Sequence, residues 1–378
     1  MKLYEYQAKE VLQSYGISVP KGKLIESVED LRAALSEVGA KVALKSQVLA
    51  GGRGKAGGIK LTQNESEAEQ SAAALFGLEI KGLPVRKILV EEQLDIETEY
   101  FIGITNDRDL GCPVVIASSE GGMSVEEVAQ KVPQKIAAVP VDLTVGLAPY
   151  AAMDVLLQCG IDGKTARQIL PLMLALYRAY RECDAELVEI NPLVVTKDGR
   201  LVAADARLNI DDNALYRQPR FKAMKEQTAE DRIMEEARIL YVDLGGNIGI
   251  MSTGAGMTMA VMDHVVAMGG RPANFMDCGI GMLDKAPKRG IELLVKRGVD
   301  AILISTYTGA RSEIMAEKII EAIESTPELN VPVVVRLQGL NQDQAETVLS
   351  NAACANLHTA KTLDDAVALA ISLAGGAR

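Results

Sequence analysis

Five glycines in the nine residues Ala50–Gly58 restrict this segment to a loop, because glycine weakens helices and strands alike. An apolar run over residues 41–46 precedes it and predicts a strand that ends near Lys45. Without Cβ atoms, the backbone N–H groups of the loop can approach a ligand closely, and Arg53 and Lys55 add positive charge. The pattern is typical of a loop that closes over phosphates, although flexible basic surface loops share it.

A β-hairpin centred on Asp198 is predicted to carry a second polar site. If two β-rich runs pair about this residue, Asn191 lies opposite Asp205, and Glu189 lies opposite Arg207. Positions two apart share a face of a strand, so the four side chains project together. An Asn–Asp oxygen pair suits Mg²⁺, which is usually held by one or two protein oxygens and substrate phosphates. An ordinary hairpin with a polar face has the same pattern, and a slip of one residue would destroy the alignment.

The composition excludes several classes of function. The 378 residues are 48% hydrophobic, enough for a large core divided among two or three domains. The net charge of −11 argues against a nucleic-acid-binding protein. Five scattered cysteines without a C-x-x-C pair indicate reduced thiols. The beginning of the chain lacks the apolar core of a signal peptide, and no run reaches membrane-spanning length. We therefore expect a cytoplasmic protein without a membrane partner.

The chain is predicted to be an α/β protein of two parts, residues 1–235 and 236–378. The first part mixes helices (3–15, 28–38, 65–75, 164–181) with strands (41–46, 86–91, 98–105, 113–118). In the second part, apolar strands (248–252, 273–278, 301–305, 331–337) alternate with helices such as 257–268 and 363–373. Such alternation predicts a doubly wound, flavodoxin-like parallel sheet.

Two turns of this second part are candidate anion sites. Thr253–Gly256 follows one predicted strand and Thr308–Glu313 follows another. Each offers free N–H groups where a helix begins, at the sheet edge that binds ligands in such folds. Compact βα turns with a Ser or Thr N-cap have the same sequence pattern.

The chain offers no evident nucleophile. His264 has the spacing of a helix residue, His358 has no acidic or Gly-rich neighbour, and Cys278 lacks an adjacent base. A Gly-x-Ser-x-Gly motif is absent from the sequence. The sequence therefore gives no sign of a nucleophile of its own for a covalent intermediate.

Segments spread over nearly the whole sequence resemble the β subunit of succinyl-CoA synthetase, which has an ATP-grasp fold followed by a CoA-ligase domain. The matching segments are Tyr4–Lys9, Gly51–Gly58, Ile88–Glu91, Glu189–Leu193, Asp212–Pro219, Gly246–Gly249, Gly254–Gly256 and Pro272–Asp277.

The resemblance implies a function and assigns residues to it. It implies Mg²⁺, with ATP and CoA as co-substrates, and an α subunit that carries a phosphohistidine and the CoA site. Glu189 would orient that histidine, and Asn191 and Asp205 would hold the metal. Pro20 favours ATP over GTP. The nucleotide-contacting positions are Lys45, Gly52, Arg53, Gly54, Glu91, Leu94 and Glu99.

The acid side departs from the family pattern, whereas the ATP side does not. Thr253 replaces an asparagine, Ile280 interrupts a triple glycine, and Thr308–Arg311 replaces a Gly-Gly-Ile-Val-Arg stretch. The acid or phosphate would contact Thr253, Gly309, Ala310 and Arg311. We therefore expect a short organic acid, either succinate or a relative with a second anionic group, such as a hydroxylated dicarboxylate or sulfoacetate.

Two other functions remain open at this point. A stand-alone ATP-grasp ligase would join a carboxylate to an amine without a partner, which the predicted C-terminal parallel sheet disfavours. A non-catalytic nucleotide-binding subunit is disfavoured by the presence of Lys45, Asn191 and Asp205.

Overall fold

The computed structural model describes residues 1–225 and 229–375, apart from the side chains of residues 229–231 and 308. Part of the charged stretch around the expected domain boundary lies outside these residues. The chain divides into two compact units, Met1–Lys225 and Glu226–Arg378. The boundary expected near residue 235 falls within the first helix of the second unit, Ala229–Ala237.

The helices and strands predicted for the first unit are present, with ends displaced by a few residues. Its helices are α1 Glu5–Ser14, α2 Leu31–Val38, α3 Glu65–Phe76, α4 Val125–Lys131, α5 Pro149–Gln158, α6 Gly163–Glu182 and α7 Pro219–Met224. Its strands are β1 Gly22–Ile25, β2 Val42–Ser46, β3 Ile59–Thr62, β4 Glu79–Ile80, β5 Leu83–Pro84, β6 Ile88–Glu92, β7 Ile96–Asp107, β8 Cys112–Ser118, β9 Ile136–Pro140, β10 Ala185–Thr196, β11 Leu201–Ala203 and β12 Ala206–Ile210.

Polar turns explain such displacements. Helix α2 begins three residues later than the sequence predicts, because the Asp30 carboxylate accepts hydrogen bonds from the Ser27 N–H at 3.1 Å and from the Ser27 hydroxyl at 2.9 Å. These bonds hold the preceding residues in a turn instead of a helix.

Two antiparallel sheets organise the first unit. The smaller has the order β1-β6-β2-β3, and the larger has the order β11-β10-β7-β8-β9. Strand β12 also pairs with β10, so β11 and β12 follow one another along the same edge. Ala204 and Asp205 lie in the gap between them. The apolar residues of α1, α5 and α6 pack with the larger sheet, for example Leu12, Leu156 and Leu176.

The hairpin has the predicted register. Glu189 lies opposite Arg207, and Leu193 lies opposite Ala203. Between these pairs, the Asn191 N–H donates to the Asp205 carbonyl at 3.4 Å. Asn191 and Asp205 are therefore cross-strand neighbours on one face of the hairpin.

The second unit contains the predicted parallel sheet. Its helices are α8 Ala229–Ala237, α9 Ala255–Ala267, α10 Ala286–Arg297, α11 Ser312–Glu324, α12 Gln342–Ser350 and α13 Leu363–Leu373. Its strands are β13 Leu240–Asp243, β14 Ile248–Met251, β15 Asn274–Asp277, β16 Ala301–Thr308, β17 Val333–Gly339 and β18 Leu357–Thr359. The sheet order is β14-β16-β17-β18, all parallel. Helices α9 and α13 cover one face of it, and α10, α11 and α12 pack on the other. The fold class is that of the prediction.

One predicted strand has a different partner. Strand β15 pairs antiparallel with β13, which the sequence did not indicate. It is joined to β14 by isolated bridges and by hydrogen bonds between the Asn274 side chain and the backbone of Ile250. Strand β13 carries exposed apolar residues, Leu240 and Val242, so it lacks the buried run by which a central strand is recognised.

Within the described residues, no helix combines the length and the apolarity needed to cross a bilayer. All five cysteines are unpaired.

Candidate active site

A buried ionic network lies where α1, the Gly-rich loop and the hairpin converge. The Glu5 carboxylate, on the first turn of α1, accepts hydrogen bonds from three cations. Lys9 Nζ lies 2.8 Å from Glu5 Oε1, Lys45 Nζ lies 3.1 Å from the same oxygen, and Arg53 Nη1 lies 2.7 Å from Glu5 Oε2. Glu5 is 4% exposed. Burying a carboxylate to this extent is unfavourable unless nearby positive charges compensate it, as these three cations do.

The two lysines also bind a second acid. Lys9 Nζ lies 2.6 Å from Glu91 Oε1, and Lys45 Nζ lies 2.7 Å from Glu91 Oε2. Both ammonium groups donate to the Ala204 carbonyl, at 2.7 and 2.6 Å. The gap between β11 and β12 leaves this carbonyl outside the sheet pairing and free to accept. Glu91 is therefore part of a buried ion cluster. The sequence predicted it as a nucleotide-contacting residue and did not indicate these two lysine partners.

Arg53 connects this cluster to the hairpin. Its Nη2 lies 2.9 and 3.1 Å from the two carboxylate oxygens of Asp205. With this pair, three cations (Lys9, Lys45, Arg53) face three acids (Glu5, Glu91, Asp205). The formal charges of these six side chains therefore balance.

The charges perturb one another's titration. Burial alone would raise the pKa of Glu5, but Lys45 and the other cations hold that pKa well below its ordinary value. Burial would lower the pKa of Lys45, but its two acids raise the pKa above the ordinary value. Burial and the negative charge of Glu5 raise the pKa of Asp205, although Arg53 opposes this. Lys45 and Arg53 thus remain cationic at any physiological pH.

The Gly-rich loop is folded onto itself. The Gly58 N–H donates to the Arg53 carbonyl at 2.8 Å, and the Ala56 N–H donates to the Gly52 carbonyl at 3.2 Å. The φ of 80° at Gly52 is one that glycine adopts readily and other residues rarely do. At Gly58, a Cβ would lie 2.6 Å from Ile80 Cδ1, so any larger residue would require Ile80 to shift. This conformation points Arg53 into the network while Gly52 and Gly54 stay exposed.

A second group of predicted residues gathers around a short loop after β8. The Gly122 N–H donates to Asn191 Oδ1 at 2.9 Å, and Asn191 Nδ2 lies 3.4 Å from Glu189 Oε1. A Cβ on Gly122 would lie 2.7 Å from Glu99 Oε2, so the glycine permits this approach. Burial raises the pKa of Glu189. Leu94 lies half-buried between β6 and β7.

The oxygen donors of the hairpin fit a magnesium ion. Asn191 and Asp205 are opposed and supply hard oxygen ligands; Asn191 Oδ1 accepts from the Gly122 N–H, and the Asp205 carboxylate pairs with Arg53. Among the described residues, no group of three or more His, Cys, Asp or Glu side chains is placed to hold a metal. A magnesium ion here would complete its coordination with water and phosphate.

The acid-side residues lie at the carboxyl ends of two adjacent parallel strands. Thr253 follows β14, and its Oγ1 is buried without a hydrogen-bond partner among the described residues. Gly254 has a φ of 85°, and its N–H donates to Asp277 Oδ1 at 2.7 Å. Helix α9 therefore begins beside an unsatisfied hydroxyl.

Residues Gly309, Ala310 and Arg311 form the turn from β16 into α11. The sequence places Arg311 at a helix start, and it is the N-cap residue of α11. Its side chain is 62% exposed, and Nε lies 2.6 Å from Glu313 Oε1. Asn341 Nδ2 donates to the same Glu313 oxygen at 3.0 Å. Arg311 thus already has an acidic partner.

The sequence-based assignment omitted three buried charges, Glu5, Lys9 and Arg336. Glu5 and Lys9 are spaced four residues apart on the buried face of α1, and this spacing was visible in the sequence. Arg336 is the only cation within the apolar run of β17, at residues 333–337. The nucleophile candidates belong to the second unit: His264 contacts Asp364 at 2.5 Å, and burial raises the pKa of the Cys278 thiol.

Two family models match the chain. The ATP-grasp domain model matches residues 2–195, and the CoA-ligase model matches residues 251–372. The fold is shared with ATP citrate lyase from Methanothrix soehngenii, solved with citrate and coenzyme A, at a TM-score of 0.76 and 19% identity over 98% of this chain and 99% of that one.

Curated relatives extend over the full length of the chain. Succinate–CoA ligase [ADP-forming] subunit beta 2 of Archaeoglobus fulgidus is 42% identical over 99% of both chains. The corresponding beta subunits of Chloroflexus aurantiacus and Chloroherpeton thalassium are 41% and 40% identical, over 100% and 97% of both chains. The fold and the network define an ATP-grasp acid–thiol ligase. The chain belongs to the β-subunit family of ADP-forming succinate–CoA ligases, whose co-substrates are Mg-ATP and CoA.

Proposed function

We propose that this chain is the nucleotide-binding β subunit of a two-subunit ADP-forming acid–CoA ligase. The observation that carries the proposal is the position of Arg53, which joins the Gly-rich loop to α1 through Glu5 and to the hairpin through Asp205. Phosphate-binding and metal-binding elements that are far apart in sequence thereby meet at one guanidinium group. The full-length similarity to ADP-forming β subunits supports the same function.

In this function, Lys45, Arg53 and the exposed amides around Gly52 and Gly54 bind the phosphates of ATP. Glu91, Leu94 and Glu99 complete the nucleotide site. Asn191 and Asp205 would hold Mg²⁺, which neutralises charge on the transferring phosphoryl group. The cationic state of Lys45 and Arg53 keeps this stabilisation available at neutral pH.

The phosphoryl acceptor is a histidine of an α subunit, which also holds CoA. Glu189 orients that histidine by accepting a hydrogen bond from its ring, because a carboxylate partner raises the basicity of an imidazole. The phosphoryl group then reaches the second unit, where Thr253, Gly309, Ala310 and Arg311 bind the acid or its phosphate. An acyl phosphate forms, and the CoA thiol displaces phosphate to give the acyl-CoA.

The acid is succinate or a short relative with a second anionic group. Supporting this choice, Thr253 supplies an unsatisfied hydroxyl at the acid site. Reduced thiols and the absence of a spanning helix among the described residues favour action in the cytoplasm.

Co-expression with an α-type subunit from the same organism tests the proposal. With γ-labelled ATP, the α subunit should acquire an acid-labile phosphoryl group, and the complex should form acyl-CoA and ADP from a short acid. Lys45→Met should abolish labelling, because Lys45 is buried in the nucleotide site. Lys60→Met, on the neighbouring strand β3 and exposed, is the matched control and should label normally. A wild-type complex that transfers no phosphoryl group to its partner would overturn the proposal.

A further inference from the structure

The parallel sheet of the second unit contains a buried arginine that has no acidic partner in the part of the chain that the structure describes. Arg336, on β17, is 7% exposed. Its Nη1 donates to Ser305 Oγ at 3.1 Å, and its Nη2 donates to Gln338 Oε1. Its Nε is buried and has no partner within residues 1–225 and 229–375. Burial lowers its pKa, with no carboxylate acting in the opposite direction.

Other arginines of the chain show how unusual this is. Arg53, buried in the first unit, binds Glu5 and Asp205, and Arg297 binds Asp243. Burying a charged group is unfavourable unless an opposite charge compensates it. Arg336 therefore has a charge that hydrogen bonds to a serine and an amide do not neutralise.

The side chain of Arg336 extends toward the edge at which parallel sheets bind ligands. Arg336 pairs with Ser305 on β16, and Ser252 Oγ, just beyond β14, donates to the Ser305 carbonyl at 2.6 Å. The three residues form a polar row across adjacent strands. Ser252 follows the last residue of β14, whereas Ser305 and Arg336 each lie three residues before the end of their strands. The Arg336 guanidinium reaches Gln338, the last residue but one of β17, and so approaches the carboxyl edge, where ligands sit in doubly wound sheets.

A second orphaned donor lies beside this row. Thr253, next to Ser252, has a buried Oγ1 without a partner among the described residues. Gly254 and Gly256, at the start of α9, are exposed, so the edge is open to solvent there. An unpaired cation and an unpaired hydroxyl at one sheet edge both require an acceptor, and an anionic ligand would satisfy both.

Arg311, the arginine that the sequence pointed to, is less suited to this role. It is exposed and already paired with Glu313, so an incoming anion would have to displace a carboxylate. Arg336 requires no such displacement.

We propose that Arg336 binds the second anionic group of the acid substrate and thereby selects dianionic acids. This rests on the proposed function, because it assigns a residue to the acid that the function activates. The substrate class is a short dicarboxylate or a carboxylate-sulfonate, whose distal group meets the guanidinium fork while the Thr253 hydroxyl donates beside it. A monocarboxylate of equal length leaves the guanidinium unpaired.

The test compares kcat/KM for succinate, sulfoacetate and butyrate in the complex with the α subunit. In Arg336→Met, the preference for the dianionic acids over butyrate should fall by about a hundredfold, the scale of a lost buried charge pair. ATP-dependent labelling of the α subunit should be unchanged. Arg289→Met, at an exposed arginine on α10, is the control and should keep the wild-type preference.

A thermal melt separates substrate binding from a structural role. Without acid, Arg336→Met should melt at the wild-type temperature or above it, because it removes an uncompensated buried charge. Succinate should raise the Tm of the wild type and not that of the variant. A lower Tm together with an unchanged preference would identify a structural residue and overturn the proposal.

A second variant covers the case in which Arg336→Met does not fold. Arg336→Lys keeps the charge and loses the fork, so the preference should fall about tenfold, and an unchanged preference overturns the proposal. A wild type that forms no acyl-CoA from any acid refutes the proposed function instead. An active wild type whose Arg336 variants keep their preference refutes only the role of Arg336.

Discussion

Arg53 Nη2 holds both carboxylate oxygens of Asp205, at 2.9 and 3.1 Å, while Nη1 of the same side chain binds Glu5 at 2.7 Å. The proposed phosphate ligand and the proposed metal ligand are thus bound to each other. A phosphate would compete with Asp205 for the guanidinium, and a magnesium ion would compete with Arg53 for the carboxylate. Since each ligand releases the residue that the other needs, we expect ATP and Mg²⁺ to bind cooperatively.

Asp205→Ala should keep the fold and lose Mg-ATP-dependent phosphorylation of the partner by about a hundredfold or more, the scale of a lost electrostatic contact in phosphoryl transfer. ATP binding without metal should persist, because Arg53 is released, whereas the enhancement by Mg²⁺ should disappear. Titration calorimetry with and without Mg²⁺ measures both effects.

Asp95→Ala is the control for this variant. Asp95 is exposed and pairs with Lys197 at the turn of the same hairpin. Unlike Asp205, it is not part of the buried ionic network. Its variant should bind and transfer as the wild type does. Near-normal turnover in a folded Asp205→Ala complex would remove Asp205 from the metal site.

Lys9→Met should destabilise the first unit severely. Lys9 is 3% exposed and bridges Glu5 and Glu91, and removal of one member of a buried ion cluster costs about 3–5 kcal/mol. Urea unfolding measures the loss. Lys23→Met, at an exposed pair with Glu37, should have little effect. Equal unfolding curves for Lys9→Met and the wild type would contradict the network.

The same network predicts the direction of acid unfolding. The folded-state pKa of Glu5 is depressed, so its contribution to stability is present above its ordinary pKa of 4.5 and is lost as the pH falls through the depressed value. Glu5→Gln should therefore lose stability at pH 7 and show a shallower decline below pH ~4.5 than the wild type.

Local sequence patterns predicted the helices and strands well, but they did not predict the ion pairs that connect these elements. The hairpin register followed from a turn signal and strand alternation, and the alternation of strands and helices identified the parallel sheet. Glu5 and Lys9 were missed as site residues because their contacts to Lys45, Glu91 and Ala204 connect positions far apart in sequence. Sequence patterns report burial along one element, whereas the network depends on packing between three.

Arg336 shows a second limit of the same kind. Its place in an apolar strand was visible in the sequence, but an unpaired charge is recognised only when its neighbours are known. Conversely, Arg311 had the expected place at a helix start, and its partner Glu313 became evident only in the structure.

The isolated chain should bind ATP and form no stable phosphoenzyme and no acyl-CoA. His264 is engaged by Asp364 between α9 and α13, and His358 lies on strand β18. Intact-mass and peptide mass spectrometry after incubation with Mg-ATP provide the measurement. Phosphate found on His264 or His358 would exclude the two-subunit mechanism.

Thr253→Val tests the acid site through a hydroxyl that has no partner. Because valine has a similar shape, removing an unsatisfied buried hydroxyl should leave the stability unchanged or raise it. The kcat/KM for the acid should nevertheless fall about tenfold or more, as expected for a lost hydrogen bond to a charged ligand.

Thr326→Val is the control variant, since the Thr326 hydroxyl already donates to the Ala322 carbonyl at 2.8 Å. That control should lose about 1 kcal/mol of stability and keep its acid kinetics. If both variants lose stability alike and neither changes kcat/KM, Thr253 does not contact the acid.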